Sequence, residues 1–502
     1  MRPVYTAAQM GAIDAAAGVP VAVLIERAGA AVARTALAML GGGYGRRVVV
    51  IAGTGNNGAD GRVAARRLAE RGVLVTVVPA DGAPALITDG DLVIDAAYGT
   101  GFRGSWSPPV VGRIPVLAVD IPSGVHADTG MVGSRVLRAT RTVTFHALKP
   151  GLVIGPGAEL AGEIEVADIG LPWAHTDVVL GDDAEVAGVW PQRAPGAHKW
   201  DQALRIVAGS DTMTGAAVLC AGAAQRAGAG MVQLSSPAGV VAGAPVEVVQ
   251  RPLPAGQWAD AALADLGRVH ALAVGPGLGR SADTVRSVLD LVPAAACPLV
   301  LDGDGLFAVS TLGVAGLALL RARHAPTVLT PHDGEFGLLM GARPGDDRIA
   351  AARELAGRAG SVVLLKGPTT VVAPPDGHVT LVTHGDQRLA TAGSGDVLTG
   401  IIAALLAAGC RPERAAFLGA WAHASTLDHL PPVGVVASDL ITALPLALAS
   451  MGAKPSDSRS FRAHAAPPRP LPASMGAHTS DSRSFRAHAG GGQAWVRARG
   501  RP

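Results

Sequence analysis

Val48-Val49-Val50-Ile51-Ala52-Gly53-Thr54-Gly55-Asn56-Asn57-Gly58-Ala59-Asp60-Gly61 is a β-branched run that breaks into a glycine-rich turn, and a helical stretch follows over residues 63–70. Strand, glycine turn and helix in that order form the repeating unit of a parallel α/β sheet. The rhythm recurs on either side. Further apolar runs at 73–78, 92–95, 116–121 and 142–145 predict parallel strands joined by crossover helices. Ahead of them, Thr6 is placed to cap an Ala-rich segment that reaches Leu40 and closes on Gly41-Gly42-Gly43, which predicts a helix pair. A Pro-containing stretch at 191–196 separates a second series of strand-like runs at 204–208, 271–274, 299–301, 327–329 and 362–365. The expected organisation is therefore a domain at 1–190, a second α/β domain at 196–449 and a tail at 450–502.

The tail differs in composition. Residues 450–465 recur almost unchanged at 474–489, two Ser-, Arg- and Pro-containing copies without helix or strand periodicity, and the segment is expected to be disordered. From Met451 to Pro502 nine Lys/Arg stand against two Asp/Glu, a balance of +7, which leaves 33 basic and 38 acidic residues ahead of it. The whole chain of 502 residues carries only +2, too little for a general nucleic-acid or membrane-surface binder. With 49% apolar and 16% charged residues, wholesale disorder is excluded. Cys220, Cys297 and Cys410 are odd in number and widely spaced, which points to neither a disulfide framework nor a zinc site. There is no apolar leader, and no run reaches the about 18 residues of a membrane span, so a soluble cytoplasmic protein is expected.

Three loops of the first domain follow predicted strands: 53–61, 95–104 and 119–124. In an open parallel sheet the carboxyl ends of the strands are where ligands bind, so the loops are expected to converge. The G-x-G-x-x-G spacing at Gly53, Gly55 and Gly58 suits backbone capture of a phosphate and equally suits a tight structural turn. Asn56 and Asn57 add carboxamides that a plain turn does not need, read here at the loop apex. Asn57, Asp95 and Ser123 offer only oxygen donors to a cation, a set that fits a hard ion such as K⁺. Asp120, at a strand end, reads either as an acid/base or as a turn cap.

In the second domain, small residues at 208–217 and the turn 274–279 offer further βα loops. His332 stands alone on a turn, which fits a ligand contact or a surface histidine. Lys366-Gly367-Pro368-Thr369-Thr370 puts a cation and hydroxyls at a strand end, a composition that suits a polyphosphate. Thr391-Ala392-Gly393-Ser394-Gly395-Asp396 leads into a helix predicted over 397–408. Small residues expose first-turn N–H groups as an anion hole, and Asp396 stands within reach to take a proton from a hydroxyl. An Asp N-cap is the simpler alternative.

The set N-N-G-A-D (56–60), D-A-A-Y-G-T-G-F-R-G (95–104), V-D-I-P-S-G-V-H-A-D-T-G (119–130) and T-F-H-A-L-K-P-G (144–151) resembles the NAD(P)H-hydrate epimerase domain. That resemblance implies a Rossmann-like three-layer fold, substrate contacts from Asn56, Asn57, Gly58, Ala59 and Asp60 and from Gly99, Thr100, Gly101, Phe102, Arg103, Gly104 and Ser105, a catalytic Asp120, and K⁺ held by Asn57, Asp95 and Ser123. Ala59 stands where that family has a second glycine. The second half, with H-K at 198–199, G-P-G-L-G at 275–279, D-G-D-G-L at 302–306, T-P-H-D-G-E-F at 330–336, A-G-S-G-D at 392–396 and A-S-D-L-I at 437–441, resembles the ribokinase-like superfamily and, within it, the ADP-dependent NAD(P)H-hydrate dehydratase domain. Trp200-Asp201 departs from the glycine turn that the family has after H-K.

The second resemblance implies that Asp396 is the catalytic base, that Lys366, Gly367, Pro368, Thr369, Thr370 and Gly395 contact the nucleotide, and that Ala216, Gly275, Gly277, His332 and Asp396 contact the hydrated cofactor. Together the two imply a bifunctional repair enzyme that interconverts the R and S hydrates and dehydrates the S form at the expense of ADP. Mg²⁺, a homo-oligomer, and no nucleic-acid or membrane partner complete the expectation. The alternative is a small-molecule kinase with a non-catalytic nucleotide-binding first domain.

Overall fold

The computed structural model describes residues 1–133 and 135–452. The repeated tail from residue 453 onward lies outside the described residues. Among the described residues there are seventeen strands: β1 (Arg2–Pro3), β2 (Arg47–Ala52), β3 (Leu74–Pro79), β4 (Leu92–Ala96), β5 (Val116–Val119), β6 (Arg141–Phe145), β7 (Glu163–Ala167), β8 (Val178–Leu180), β9 (Ala203–Val207), β10 (Met231–Ser235), β11 (Val249–Gln250), β12 (Ala271–Val274), β13 (Leu299–Leu301), β14 (Thr327–Leu329), β15 (Val362–Leu365), β16 (Thr370–Ala373) and β17 (Val379–Val382).

They form two sheets. The first, in the order β3-β2-β4-β5-β6-β7, is parallel throughout. Its central strands β4 and β5 are buried along their whole length, as continuous apolar runs covered on both faces should be. The second has eleven strands in the order β1-β8-β17-β16-β15-β14-β13-β12-β9-β10-β11, parallel from β15 to β11 and at β8-β17, and antiparallel at the β1-β8, β15-β16 and β16-β17 pairs. The fold is mixed α/β with parallel sheets, in agreement with the expected class.

The helix pair ahead of β2 forms as read. Thr6 caps the helix Ala7–Ala16 in a capping box with Gln9, and the helix Val21–Leu40 closes on Gly41 at φ +66°. Two boundaries move. β1 and β8, both within 1–190, are hydrogen-bonded into the second sheet, and a single apolar cluster carries Val4, Ile121 and Leu148 together with Val207, Leu272 and Leu301. Residues 450–452 belong to the body rather than the tail: the last helix, Ala437–Ser450, ends on a buried Met451 whose carbonyl accepts from Gly188 N at 2.9 Å. Among the described residues no single helix is long and apolar enough to cross a membrane.

Candidate functional site

β2 delivers the chain to Gly53 at the sheet's carboxyl edge, and the helix Asn56–Ala69 starts two residues after Thr54. Asn56 and Asn57 are thus first-turn helical residues and not a loop apex, which corrects the expectation. The reason is at Gly58, where a Cβ would stand 1.9 Å from Gly53 O: only glycine lets the first turn fold back onto the end of the strand. Ala59 is helical and is absent from the positive-φ residues, so its methyl introduces no backbone strain.

A cleft of about 930 Å³ opens over this edge. Asn56, Asn57, Asp60, Gly99, Thr100, Gly101, Phe102, Arg103, Ser105 and Asp120 line it, whereas Gly58, Ala59 and Gly104 do not. Asp14 and Lys149, neither singled out in the sequence, line it as well. β5 stops at Val119, short of the expected 121, because Asp120 turns into the left-handed region at φ +66°. Its Oδ1 accepts from Lys149 Nζ at 2.7 Å. The same ammonium donates to Thr144 Oγ1 at 2.9 Å and Phe145 O at 3.0 Å, and it is only 2% exposed.

Burial pushes Asp60 up to about 8, with the charges of Asp120 and Asp14 adding to the effect. Asp14 is also raised, chiefly by burial, while Lys149 pulls it back. Three carboxyl groups and one buried amine therefore share the cleft, and Asp60 holds its proton at neutral pH. A cleft-facing proton donor beside an Asp–Lys pair can serve acid/base chemistry.

Asp95 and Ser123 come into direct contact: Ser123 Oγ donates to Asp95 Oδ1 at 2.6 Å and Ser123 N donates to Oδ2 at 2.9 Å. Asp95 is fully buried, and desolvation raises it above the ordinary carboxylate range. Both polar atoms of the buried Asn57 side chain lack a hydrogen-bond partner, and this side chain packs beside Gly99. An unsatisfied carboxamide oxygen and a desolvated carboxylate fit a hard cation.

In the second half the helix Ser394–Ala407 begins three residues earlier than expected, so Asp396 lies inside its first turn. No side chain caps this end, where Gly393 stands at φ +90°; Ser394 N donates to Thr391 O at 3.3 Å and Val397 N to Gly393 O at 3.2 Å, so Gly395 N and Asp396 N are the donors the end can offer. Burial is the main cause that lifts Asp396 to about 7; Asp302 raises it further and Lys366 opposes. Lys366 Nζ donates to Asp302 Oδ1 at 2.7 Å, and Thr399 Oγ1, one turn beyond Asp396, donates to Asp302 Oδ2 at 2.7 Å. A Cβ on Gly395 would lie 3.3 Å from Lys366 Nζ, so helix end and ammonium face each other. Buried Glu335 is raised mainly by desolvation, with Lys366 pulling it down.

The neighbouring loops are shaped around this cluster. Gly275 sits at φ +129° with its Cβ direction 1.7 Å from Asp302 O, which forbids any side chain there. Gly277 packs on Ala216, where a Cβ would lie 2.8 Å from the Ala216 methyl. His332 caps the helix Asp333–Met340, its Nδ1 accepting from Gly334 N at 2.9 Å, while Glu335 Oε2 accepts from His332 N at 2.9 Å. Its ring is otherwise exposed.

The loop after β15 divides. Gly367 packs against Arg348, whose Nη2 donates to Lys366 O at 2.8 Å. Pro368 and Thr369 line a different cleft, of about 420 Å³, and Thr369 Oγ1 donates to Val153 O at 2.5 Å, so this hydroxyl is committed and not free for a phosphate. Thr370 opens β16. After His198, Asp201 Oδ2 accepts from His198 N at 2.6 Å and Trp200 stacks under Arg268 at 4.1 Å, so the turn closes without a glycine. His423, missed in the sequence, is buried behind the helix end, with desolvation lowering it to about 4.

Fold and sites define an α/β enzyme with two separate sites, an acid/base cleft over the first sheet and a helix end facing the Lys366–Asp302 pair in the second half. The family described as NAD(P)H-hydrate dehydratase matches residues 204–445, and the YjeF-related protein N-terminus matches 21–88 and 78–151. The chain is 38% identical to the bifunctional NAD(P)H-hydrate repair enzyme Nnr of Moorella thermoacetica, over 89% of this chain and 96% of that one. It is 40% identical to the Mycobacterium tuberculosis protein of the same description, over 83% and 91%. A solved structure, the ADP/ATP-dependent NAD(P)H-hydrate dehydratase of Bacillus subtilis with ATP and Mg²⁺, is 27% identical and covers 54% of this chain and 97% of its own, with a TM-score of 0.44. The chain belongs to the family of bifunctional NAD(P)H-hydrate repair enzymes, which join a dehydratase to an epimerase.

Proposed function

We propose that this chain returns both epimers of hydrated NADH or NADPH to use in the cytoplasm: the first cleft interconverts R and S, and the second site dehydrates S with ADP, yielding AMP and phosphate. The observation that carries the second half is Asp396, held near neutrality at an uncapped helix end that faces the Lys366–Asp302 pair.

Hydroxide is a poor leaving group, so the C6 hydroxyl must first be activated. Asp396 takes its proton, and the oxygen attacks the terminal phosphoryl group of ADP, releasing AMP. The first-turn N–H groups of the helix Ser394–Ala407 and Lys366 stabilise the charge on the transferring group. Phosphate then leaves from C6 with a proton from the neighbouring carbon, which restores the ring double bond. Lys366, Gly367, Thr370 and Gly395 contact the nucleotide, whereas Pro368 and Thr369 line the cleft of about 420 Å³; Ala216, Gly275, Gly277 and His332 border the hydrate.

Asp302 and Glu335, both beside Lys366, offer carboxylate oxygens, a donor set that fits Mg²⁺ arriving with ADP. Asp302 and Glu335 are the residues that would hold it, which leaves Asp396 free as the base, and when bound it would neutralise polyphosphate charge. In the first cleft, Asn57, Asp95 and Ser123 would hold K⁺, which supplies a fixed positive charge. Asp120 contacts the ring, Lys149 orients that carboxylate, and protonated Asp60 is the acid that gives a proton and takes one back as the configuration at C6 is exchanged.

The deciding assay follows recovery of reduced-nicotinamide absorbance from purified S hydrate with ADP and Mg²⁺, together with release of AMP and phosphate. A stable phosphate ester in place of restored NADH would overturn the reading.

A further inference from the structure

We propose that His175, Asp177 and His378 bind one divalent transition-metal ion of the zinc class, which ties the segment entering β8 to the turn entering β17.

The strand register builds the site. Val178 pairs with Val379 in the parallel β8-β17 ladder, and Val379 N donates to Asp177 O at 2.7 Å, so Asp177 and His378 are cross-strand neighbours at the entry to their strands. His175, two residues before Asp177, places Nε2 2.8 Å from Asp177 Oδ1. The two imidazole rings stand 5.4 Å apart, and one ligand atom from each of the three residues lies within 4.8 Å of the others. Among the described residues this is the one grouping of three His, Cys, Asp or Glu side chains with that geometry.

A second observation concerns the proton on His378. Its Nδ1 lies 3.0 Å from Thr176 O, and a carbonyl can only accept, so Nδ1 carries the hydrogen and Nε2 keeps its lone pair. A backbone carbonyl holding the far ring nitrogen is the arrangement that orients metal-bound histidines. Two imidazoles and a carboxylate leave a fourth position to water on this exposed surface, a tetrahedral set for zinc. Mg²⁺ and Ca²⁺, which take oxygen donors, are disfavoured by the same set. None of the three residues belongs to either cleft, so the ion acts on the junction between β8 and the second half and not on the chemistry.

The full-length, untagged chain is stripped with chelator and dialysed against Zn²⁺, in parallel with the double variant H175Q/H378Q and the single variant Asp177→Asn. The expected result is one more tightly bound zinc per chain in the wild type than in the double variant, and a zinc-dependent rise in Tm that the double variant lacks. Asp177→Asn is expected to weaken binding about tenfold. The three residues are exposed, so all the proteins should melt alike without metal. Equal zinc content and equal Tm shifts in wild type and double variant, or displacement of the ion by millimolar Mg²⁺, would overturn the site and leave only the His175–Asp177 pair.

Discussion

Lys366 and the buried Asp302 form an ion pair at 2.7 Å, and the second oxygen of that carboxylate is held by Thr399, on the helix that carries Asp396. One cation therefore fixes the carboxylate against which Asp396 titrates. Removing it strands a charge that is 3% exposed. A lost partner in such a pair costs about 3–5 kcal/mol, so Lys366→Met should lower the Tm by several degrees as well as abolish dehydration. Differential scanning calorimetry beside the absorbance assay tests both; an unchanged Tm would mean that Asp302 is not dependent on this lysine.

Asp396 makes the pH prediction. A base must be ionised to work, so dehydration should rise with pH and level off above about 7, where the buried carboxyl titrates. Stability moves the other way. The folded group keeps a proton that the unfolded chain has already lost, so between the ordinary carboxylate range and about 7 its contribution falls as pH rises. Asp396→Asn should thus eliminate turnover, leave ADP affinity within a few-fold, and at pH 8 be more stable than wild type by about 1–2 kcal/mol, discounted for its partial exposure. Equal turnover in both proteins would remove Asp396 from its role.

How far the sequence could be followed depended on whether the signal was local. Runs such as 92–95 and 362–365 are buried on both faces and read as strands without help from tertiary structure. β1 is two residues long and β8 three, and neither has a local signal: β8 forms where β17 offers an edge, and β1 where β8 does. Asn56-Asn57-Gly58 has poor intrinsic helix propensity, so the early helix start is set by the approach of Gly58 to Gly53 and was invisible in the spacing. Asp120 and Asp396 were legible because each follows a strand or glycine turn in a marked motif. Lys149 and Asp14 were not: a lone charged residue reads as surface until the fold buries it.

Gly275 is a shape requirement of its turn. Gly275→Ala combines φ +129° with a methyl 1.7 Å from Asp302 O, so the turn must move and take Asp302 with it. Dehydration should drop at least tenfold while the first cleft, on the other sheet, keeps its activity. Chiral separation of the hydrate epimers monitors the latter. Loss of both activities would indicate global unfolding in place of a local shift.

Lys149 provides the complementary separation. Its ammonium is nearly inaccessible and has three acceptors, one of them the Asp120 carboxylate that faces the cleft. Lys149→Met keeps much of the length and apolar stem but leaves Asp120 unpaired and free to leave its left-handed, oriented position. Asp14, whose rise Lys149 opposes, then loses that opposing charge, and the set of proton positions in the cleft changes. Epimerisation should fall by two orders of magnitude, whereas dehydration of pure S hydrate should continue at the wild-type rate because Lys366 and Asp396 are untouched. With a mixture of epimers the difference becomes visible in one trace: wild type consumes all of the hydrate, and the variant stops when the S form is exhausted, with R left at the end. If the variant also consumes R faster than buffer does, the Asp120–Lys149 pair is not the centre of the first reaction.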